Sequence, residues 1–290
     1  MRDTLIDSSF KYCEQIAKGH YENFPVASLL LPKEKRKYVY AIYAFARAAD
    51  DFADEEGIEG GAAKRLALLD EWNGKLRDCY SGKAYDPIFI ALAETVKDNR
   101  IPIEPLENLL NAFRQDVVKQ RYEKFDELLE YCRNSANPVG RLVLMIFGCH
   151  DEEFFKYSDK ICTALQLTNF WQDIEVDLRK ERIYLPAEDI TKFGYSYKEL
   201  ELKQENESFR SLVKFEVERT KKIFDEGRKL IDMTAAAGKE LKKLSKELKL
   251  TWNGGTTILK KIEEINYNVL NQRPSISGFD KIKIFLGSRF

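Results

Sequence analysis

Aspartates at helical spacing are the residues of this chain best placed to do chemistry. The first set is Tyr43, Arg47, Asp50, Asp51 and Asp54, within YAFARAADDFADE. At about 100° of rotation per residue, Tyr43, Arg47, Asp50 and Asp54 fall in a stripe about 60° wide. Their neighbours Ala44, Phe45, Ala46, Ala48 and Ala49 are small or apolar. A solvated face is seldom flanked by so much alanine, so the stripe is expected to point inward. The second set is Gln166, Asn169, Asp173 and Asp177, within QLTNFWQDIEVDLRKERIYLP. These four lie within about 80° of one another, on a helix whose other faces are Leu, Phe, Trp and Ile.

Carboxylates carried into a core cost too much unless cations compensate them. For an all-oxygen ligand set the expected cation is magnesium, which keeps several waters and takes remaining ligands from phosphate. Two such helices across a cavity suit a substrate carrying a diphosphate, whose departure metals and basic residues would assist. The carbocation left behind calls for aromatic faces, and the chain has 14 Tyr, 18 Phe and 3 Trp. A single acidic run is more often a solvated face or a cap. Two of them, each embedded in apolar helix, shift the balance toward function. A di-iron bundle needs Glu-x-x-His pairs, and neither His20 nor His150, the only two histidines, has Glu three residues before it. The same scarcity argues against a zinc site or a His-based triad. No GxxxxGK[ST] motif occurs, nor GxGxxG after a strand.

The elements that must position these residues are punctuated by few breakers. Gly (15) and Pro (8) make up about 8 % of the 290 residues, against roughly 12 % in proteins at large. Pro32 opens a helical stretch to about Glu55, closed by Gly57, Gly60 and Gly61, and a second helix runs to about Tyr80. Asp86-Pro87 starts another, ending near Asn99. From Ile103 to about Tyr122, Leu106, Leu109, Leu110, Phe113 and Val117 follow the helical period. A helix from about Asp126 is expected to kink at Asn137-Pro138. Glu153 to about Lys180 reads as one central helix, apolar nearly all round. After a break at Pro186, Gly194 and residues 204–208, helices are expected from Phe209 to Met233 and from Lys239 to Leu248. Trp252-Asn253-Gly254-Gly255 reads as a turn before a last helix through about Asn271. The prediction is an all-α single domain of roughly ten helices over residues 1–290, with a C-terminal tail over 273–290.

Lys plus Arg (47) nearly cancel Asp plus Glu (48), so no net field favours nucleic acid. The longest apolar runs, Tyr38 to Ala46 and Leu142 to Cys149, are about half of the ~20 residues a membrane span needs. Five cysteines without a CxxC spacing read as reduced core thiols. The acidic N-terminal segment lacks the apolar core of a signal peptide, and a cytoplasmic protein is expected.

YAIYAFARAADDFAD and QLTNFWQDIEVDLRKERIYLP resemble the two aspartate-rich signatures of the squalene/phytoene synthase family, the head-to-head prenyl transferases. They occur in order, and the second continues into the family's Arg-x-Tyr-x-Pro ending at Arg182, Tyr184 and Pro186. The resemblance implies an all-α isoprenoid synthase bundle around a central cavity, magnesium, and prenyl diphosphate substrates. By position it implies Asp50 and Asp54 as metal ligands from one side, and Asn169, Asp173 and Asp177 from the other. Arg47, Arg182 and Tyr184 match positions that contact the diphosphate or shape its site, and His20, Tyr43 and Gln166 fall where the family lines its pocket. Gln172 stands where many members have Arg.

The segments HYENFPVASLLLP, YCRNSANPVGRLVL and NFWQD most resemble the branch that converts presqualene diphosphate to hydroxysqualene in bacterial hopanoid biosynthesis. Condensation of two prenyl diphosphates to presqualene diphosphate, squalene, phytoene or dehydrosqualene is the alternative within the family. A non-catalytic polyprenyl-binding module is the alternative outside it. A thirty-carbon product implies a cavity opening toward apolar surface, hence peripheral membrane contact and handover from an enzyme that forms presqualene diphosphate. Packing on the domain is the expected fate of the tail, ahead of contact with lipid.

Overall fold

A computed structural model describes residues 2–19, 31–54, 60–278, 280, 281 and 284. Its first helices are α1 (Arg2–Gly19), α2 (Lys33–Asp54), α3 (Gly61–Tyr80), α4 (Pro87–Asp98) and α5 (Glu104–Val118). Next come α6 (Phe125–Ser135), α7 (Asn137–Ile146), α8 (Glu152–Gln172) and α9 (Ile174–Arg179). The chain then forms α10 (Ala187–Lys192), α11 (Tyr197–Glu201), α12 (Glu207–Gly227), α13 (Lys229–Ala236) and α14 (Lys239–Glu264). No strand forms among the described residues; a single parallel bridge joins Arg121 and Ile183.

Local chemistry accounts for the main boundaries. The Asp86 carboxylate accepts from the Ile88 amide at 2.9 Å and Pro87 occupies the first turn of α4, where its missing N–H has no partner to lose. Asp151 caps α8 in the same way through the Glu153 amide at 2.8 Å. The expected interruption at Asn137-Pro138 divides α6 from α7, with Pro138 at the start of the new helix. Among the described residues two short helices, α10 and α11, lie where Pro186, Gly194 and residues 204–208 read as a break, and α1 is a long helix beyond those expected.

Two apolar clusters form the interior. One gathers α1 to α5 with α7, around Phe45, Trp72, Phe89 and Leu92. The other gathers α6 and α8 to α14, around Trp171, Phe209, Phe224 and Leu259. Phe154 and Leu248 touch both and join them. Helix α2 rests on α1, α4 and α5, and α8 on α12, α7 and α14. The two acidic stripes therefore arrive from different clusters. At the α8–α12 seam, Trp171 donates to Thr220 Oγ1 at 2.8 Å. The five cysteines are free thiols, four of them buried.

Two expectations are corrected. The helix over 153–180 bends at Asp173, which ends α8 and precedes α9. The ladder continues through the bend, from the Asp173 amide to Asn169 O at 2.9 Å and from the Asp177 amide to Asp173 O at 2.8 Å. The turn expected at Trp252 to Gly255 is helix, inside α14. Gly255 is there for space: a methyl group on it would overlap the Phe224 ring and stand 2.8 Å from Leu165 Cδ2, whereas one on Gly254 would meet only Ile276, at an ordinary 3.8 Å. Gly255 marks a close helix approach, which a turn-based reading mistakes for a stop. Gly255→Ala is expected to cost about 1–3 kcal/mol, read as a lower midpoint in chemical denaturation.

Glu247 on α14 is 6 % exposed, and its Oε2 has no hydrogen-bond partner. Burial pushes its carboxyl up to about 8. The folded state thus holds this proton more tightly than the unfolded chain. Its contribution is fully present below the ordinary carboxyl range near 4.5 and is lost as pH rises toward 8. Glu247→Gln is expected to raise the melting temperature by several degrees at pH 8 relative to the parent, with the gap closing at pH 5.

Candidate active site

On α2, Ala44, Phe45, Ala49 and Ala53 are buried while Tyr43, Arg47, Asp50, Asp51 and Asp54 are half-buried. The predicted stripe therefore lines a partly open face. Arg47 engages its own helix, reaching Asp51 Oδ1 at 2.5 Å and Asp50 Oδ2 at 3.4 Å. From the other side, Gln166, Asp173 and Asp177 are half-buried and Asn169 is exposed. His20 lies outside the described residues.

What brings the two sides together is Arg182. Its Nη2 donates to Asp54 Oδ1 at 2.5 Å and its Nη1 to Asp54 Oδ2 at 3.2 Å, a two-pronged pair of the strong kind. Lys180 Nζ adds a contact to Asp54 Oδ2 at 3.4 Å. Arg182 is aimed by backbone: Glu181 takes a left-handed conformation, φ 59°, and the Arg182 amide returns to Asp177 O at 2.9 Å. The chain is then stitched to residues 120–123, with the Ile183 amide on Gln120 O at 2.8 Å and the Ala187 amide on Tyr122 O at 2.9 Å.

The charges are unevenly met. Burial works to raise the Asp54 carboxyl, but the hydrogen bonds and charge of Arg182, with Lys180, carry it below its ordinary range. Burial, then Asp54, hold Asp50 above its range. Asp177 is pushed up to about 7 by burial and then by Asp173. Asp173 itself is paired with Arg273, Nε to Oδ1 at 2.6 Å. Carboxylates outnumber the basic groups that reach them, and all the donors are hard oxygens. That chemistry fits a divalent cation, although among the described residues no group of three or more Asp, Glu, His or Cys stands close enough to hold one as arranged.

Behind Arg182 lies an aromatic wall. Tyr184 stacks on Phe170 at 3.7 Å between ring centres, 11° from parallel, and on Tyr122 at 5.7 Å. Tyr131 flanks Phe170 at 5.9 Å. Burial, then Asp116, hold the Tyr184 hydroxyl well above its ordinary pKa, so it stays neutral. Phe170, Asp177, Arg182 and Tyr184 line a cavity of about 10 Å³. Two larger clefts, about 630 and 920 Å³, are lined by other residues. The larger cleft gathers five carboxylates, but six lysines and arginines line it with them, and neither cleft contains a residue of the two acidic stripes, so the candidate site is placed at the stripes and the rings beside them.

Sequence reasoning missed Asp116, Tyr131 and Tyr122. Asp116 Oδ2 accepts from the Tyr131 hydroxyl at 2.9 Å, its Oδ1 is buried without a partner, and burial pushes it up to about 7. It sits at the edge of the apolar stripe of α5, next to Val117, and that position was the available signal. Gln115, beside it, donates to the Tyr122 hydroxyl at 3.1 Å.

The squalene/phytoene synthase family model matches residues 17–280. The chain belongs to the squalene/phytoene synthase family. Among curated members of this family, the 15-cis-phytoene synthase of Synechocystis sp. is 29 % identical over 280 residues, covering 92 % of this chain and 80 % of that protein. Phytoene synthase 1 of Arabidopsis thaliana is 28 % identical, covering 96 % of this chain, which spans 65 % of the plant protein. Among solved structures, a squalene synthase, HpnC, from Alicyclobacillus acidocaldarius superposes with a TM-score of 0.84 at 39 % identity, covering 91 % of this chain and 96 % of the other. A dehydrosqualene synthase superposes at 0.81 with 26 % identity, covering 100 % and 98 %. These similarities bear out the all-α isoprenoid synthase bundle for this family member.

The Tyr131 hydroxyl lowers the pKa of Asp116 against the rise from burial. Tyr131→Phe is expected to move the Asp116 carboxyl further above 7, read by carbon-detected NMR titration of labelled aspartate.

Proposed function

We propose that the protein ionises presqualene diphosphate, rearranges the cyclopropylcarbinyl cation and captures it with water to give hydroxysqualene, in squalene and hopanoid biosynthesis. The observation that carries the reading is the facing of two carboxylate stripes through Asp54 and Arg182, with an aromatic wall directly behind. Asp50 and Asp54 on one side, and Asn169, Asp173 and Asp177 on the other, are the groups that would hold magnesium. When bound, the metal supplies neutralisation of the departing diphosphate.

The chain's own residues do the rest. Arg182, Lys180 and Arg47 bring positive charge to the leaving group, and a guanidinium fork suits phosphate oxygens. Tyr43, Gln166 and His20 are assigned to the pocket lining. Phe170 and Tyr184 present ring faces, which attract a cation without a nucleophilic atom to trap it. The ionised substrate loses diphosphate, water forms the new C–O bond, and its second proton leaves to solvent or a basic side chain, so no reductant is consumed.

Greater identity to the squalene synthase HpnC than to the phytoene synthases supports a thirty-carbon product. The phytoene synthase relatives favour the second reading, condensation of two prenyl diphosphates. No helix among the described residues is long and apolar enough to cross a membrane. A cytoplasmic location, peripheral contact with lipid and handover from a presqualene diphosphate-forming enzyme belong to the same proposal.

Purified protein given presqualene diphosphate and magnesium, without NADPH, is expected to release hydroxysqualene, identified by mass spectrometry. Recovery of unchanged substrate would overturn the assignment, and consumption of farnesyl diphosphate as sole substrate would establish condensation instead. Asp50→Ala and Asp173→Ala are each expected to lower kcat/KM by at least about a thousandfold, whereas a module that only binds polyprenyl ligands would keep its ligand affinity.

A further inference from the structure

Beyond α14 the chain runs back over the second acidic stripe. Arg273 grips Asp173 with two prongs, Nε to Oδ1 at 2.6 Å and Nη2 to Oδ2 at 3.1 Å. One residue later the Pro274 carbonyl accepts from Gln172 Nε2 at 2.6 Å. Ile276 then packs on the second apolar cluster beside Gly254. Asp280 closes the segment, accepting from the Ser277 amide at 2.7 Å and pairing with Lys261 at 2.8 Å. Residues 273–278, with Asp280, form a strap pinned at both ends, and Gln172 and Asp173, adjacent in sequence, hold its first two residues.

The Arg273–Asp173 pair by itself is a weak anchor. The Arg273 side chain is 54 % exposed, and an ion pair so open to water holds little against screening and side-chain entropy. The amide-to-carbonyl bond from half-buried Gln172 is of a different kind. It fixes backbone, at the peptide that follows Pro274, one residue beyond Arg273. With Pro274 restricting φ at the same residue, the guanidinium starts from a nearly settled point over the stripe. A free arm of the same length would sample many positions and lose that freedom on binding.

We propose that Gln172 is a positioning residue that latches the strap and, through it, holds Arg273 at the second acidic stripe, where the guanidinium meets diphosphate-bearing ligands. Gln172 acts through Arg273 and touches no reacting atom. The inference rests on the diphosphate chemistry proposed for this site. Removing the latch raises the entropy that Arg273 must lose, so ligand affinity falls while the chemical step is left nearly alone.

The test compares the parent with Gln172→Ala, Gln172→Glu and Gln172→Arg. Hydrogen exchange reads the amides of residues 275–281, calorimetry reads inorganic pyrophosphate with magnesium, and steady-state kinetics reads presqualene diphosphate. In Gln172→Ala and Gln172→Glu, exchange is expected to speed up and pyrophosphate to bind about tenfold more weakly. KM rises by about the same factor, with kcat within about twofold. Gln172→Arg retains an N–H donor for the Pro274 carbonyl and is expected to keep the exchange protection. Parent-like exchange and pyrophosphate affinity in both Gln172→Ala and Gln172→Glu would overturn the latch. If the parent itself fails to turn over presqualene diphosphate, the functional proposal falls while exchange and pyrophosphate binding still decide the latch.

Discussion

The pairing of Asp54 with Arg182 is the constraint on which the rest of the site depends. The two residues lie 128 positions apart and belong to different apolar clusters, so their bond registers one half of the bundle against the other. Each half supplies only part of a binding set. Helix α2 brings carboxylates on a bed of alanine. The α8–α9 segment brings carboxylates, the arginine that answers them, and the rings beneath. A pair of this sort is costly to desolvate and is strong only when both prongs are satisfied. Its presence at the mouth of a polar site, rather than in the core, reconciles those demands: Asp54 and Arg182 are both partly open to water.

That arrangement explains why so many local features converge on a few residues. The bend at Asp173 turns the chain, the left-handed Glu181 reverses it, and the hydrogen bonds from residues 183 and 187 to residues 120 and 122 stop it from swinging. The Phe170–Tyr184 stack fills the space behind. None of these contacts is large, yet each fixes a different degree of freedom of Arg182.

Much of this was legible in the sequence because helical spacing is a strong geometric rule. The α2 stripe needed only the period of the helix and the run of alanines. Arg182 and Tyr184 were reached through a resemblance, since nothing in their spacing says that the chain doubles back toward Asp54. The bend at Asp173 was hidden because QLTNFWQDIEVD keeps helical periodicity straight through it. Gly254 and Gly255 misled for a related reason: glycine serves turns through its dihedral freedom and helix crossings through its size, and a sequence does not say which. Asp116 and Tyr131 escaped because each looks ordinary on its own helix. Their importance comes from α5 and α6 lying side by side.

The stitching of residues 183–187 onto residues 120–123 also bears on how such a protein can diversify. Two stretches held in parallel register, with Arg182 and Tyr184 two positions apart on one of them, cannot gain or lose a residue without turning both side chains away and bringing Ile183 round in their place. Length variation is therefore shut out of this loop, and new substrate preferences must arise by substitution along the walls of the bundle or by change in segments not bound to that register. The small bridge between Arg121 and Ile183 acts as a reading frame for the site.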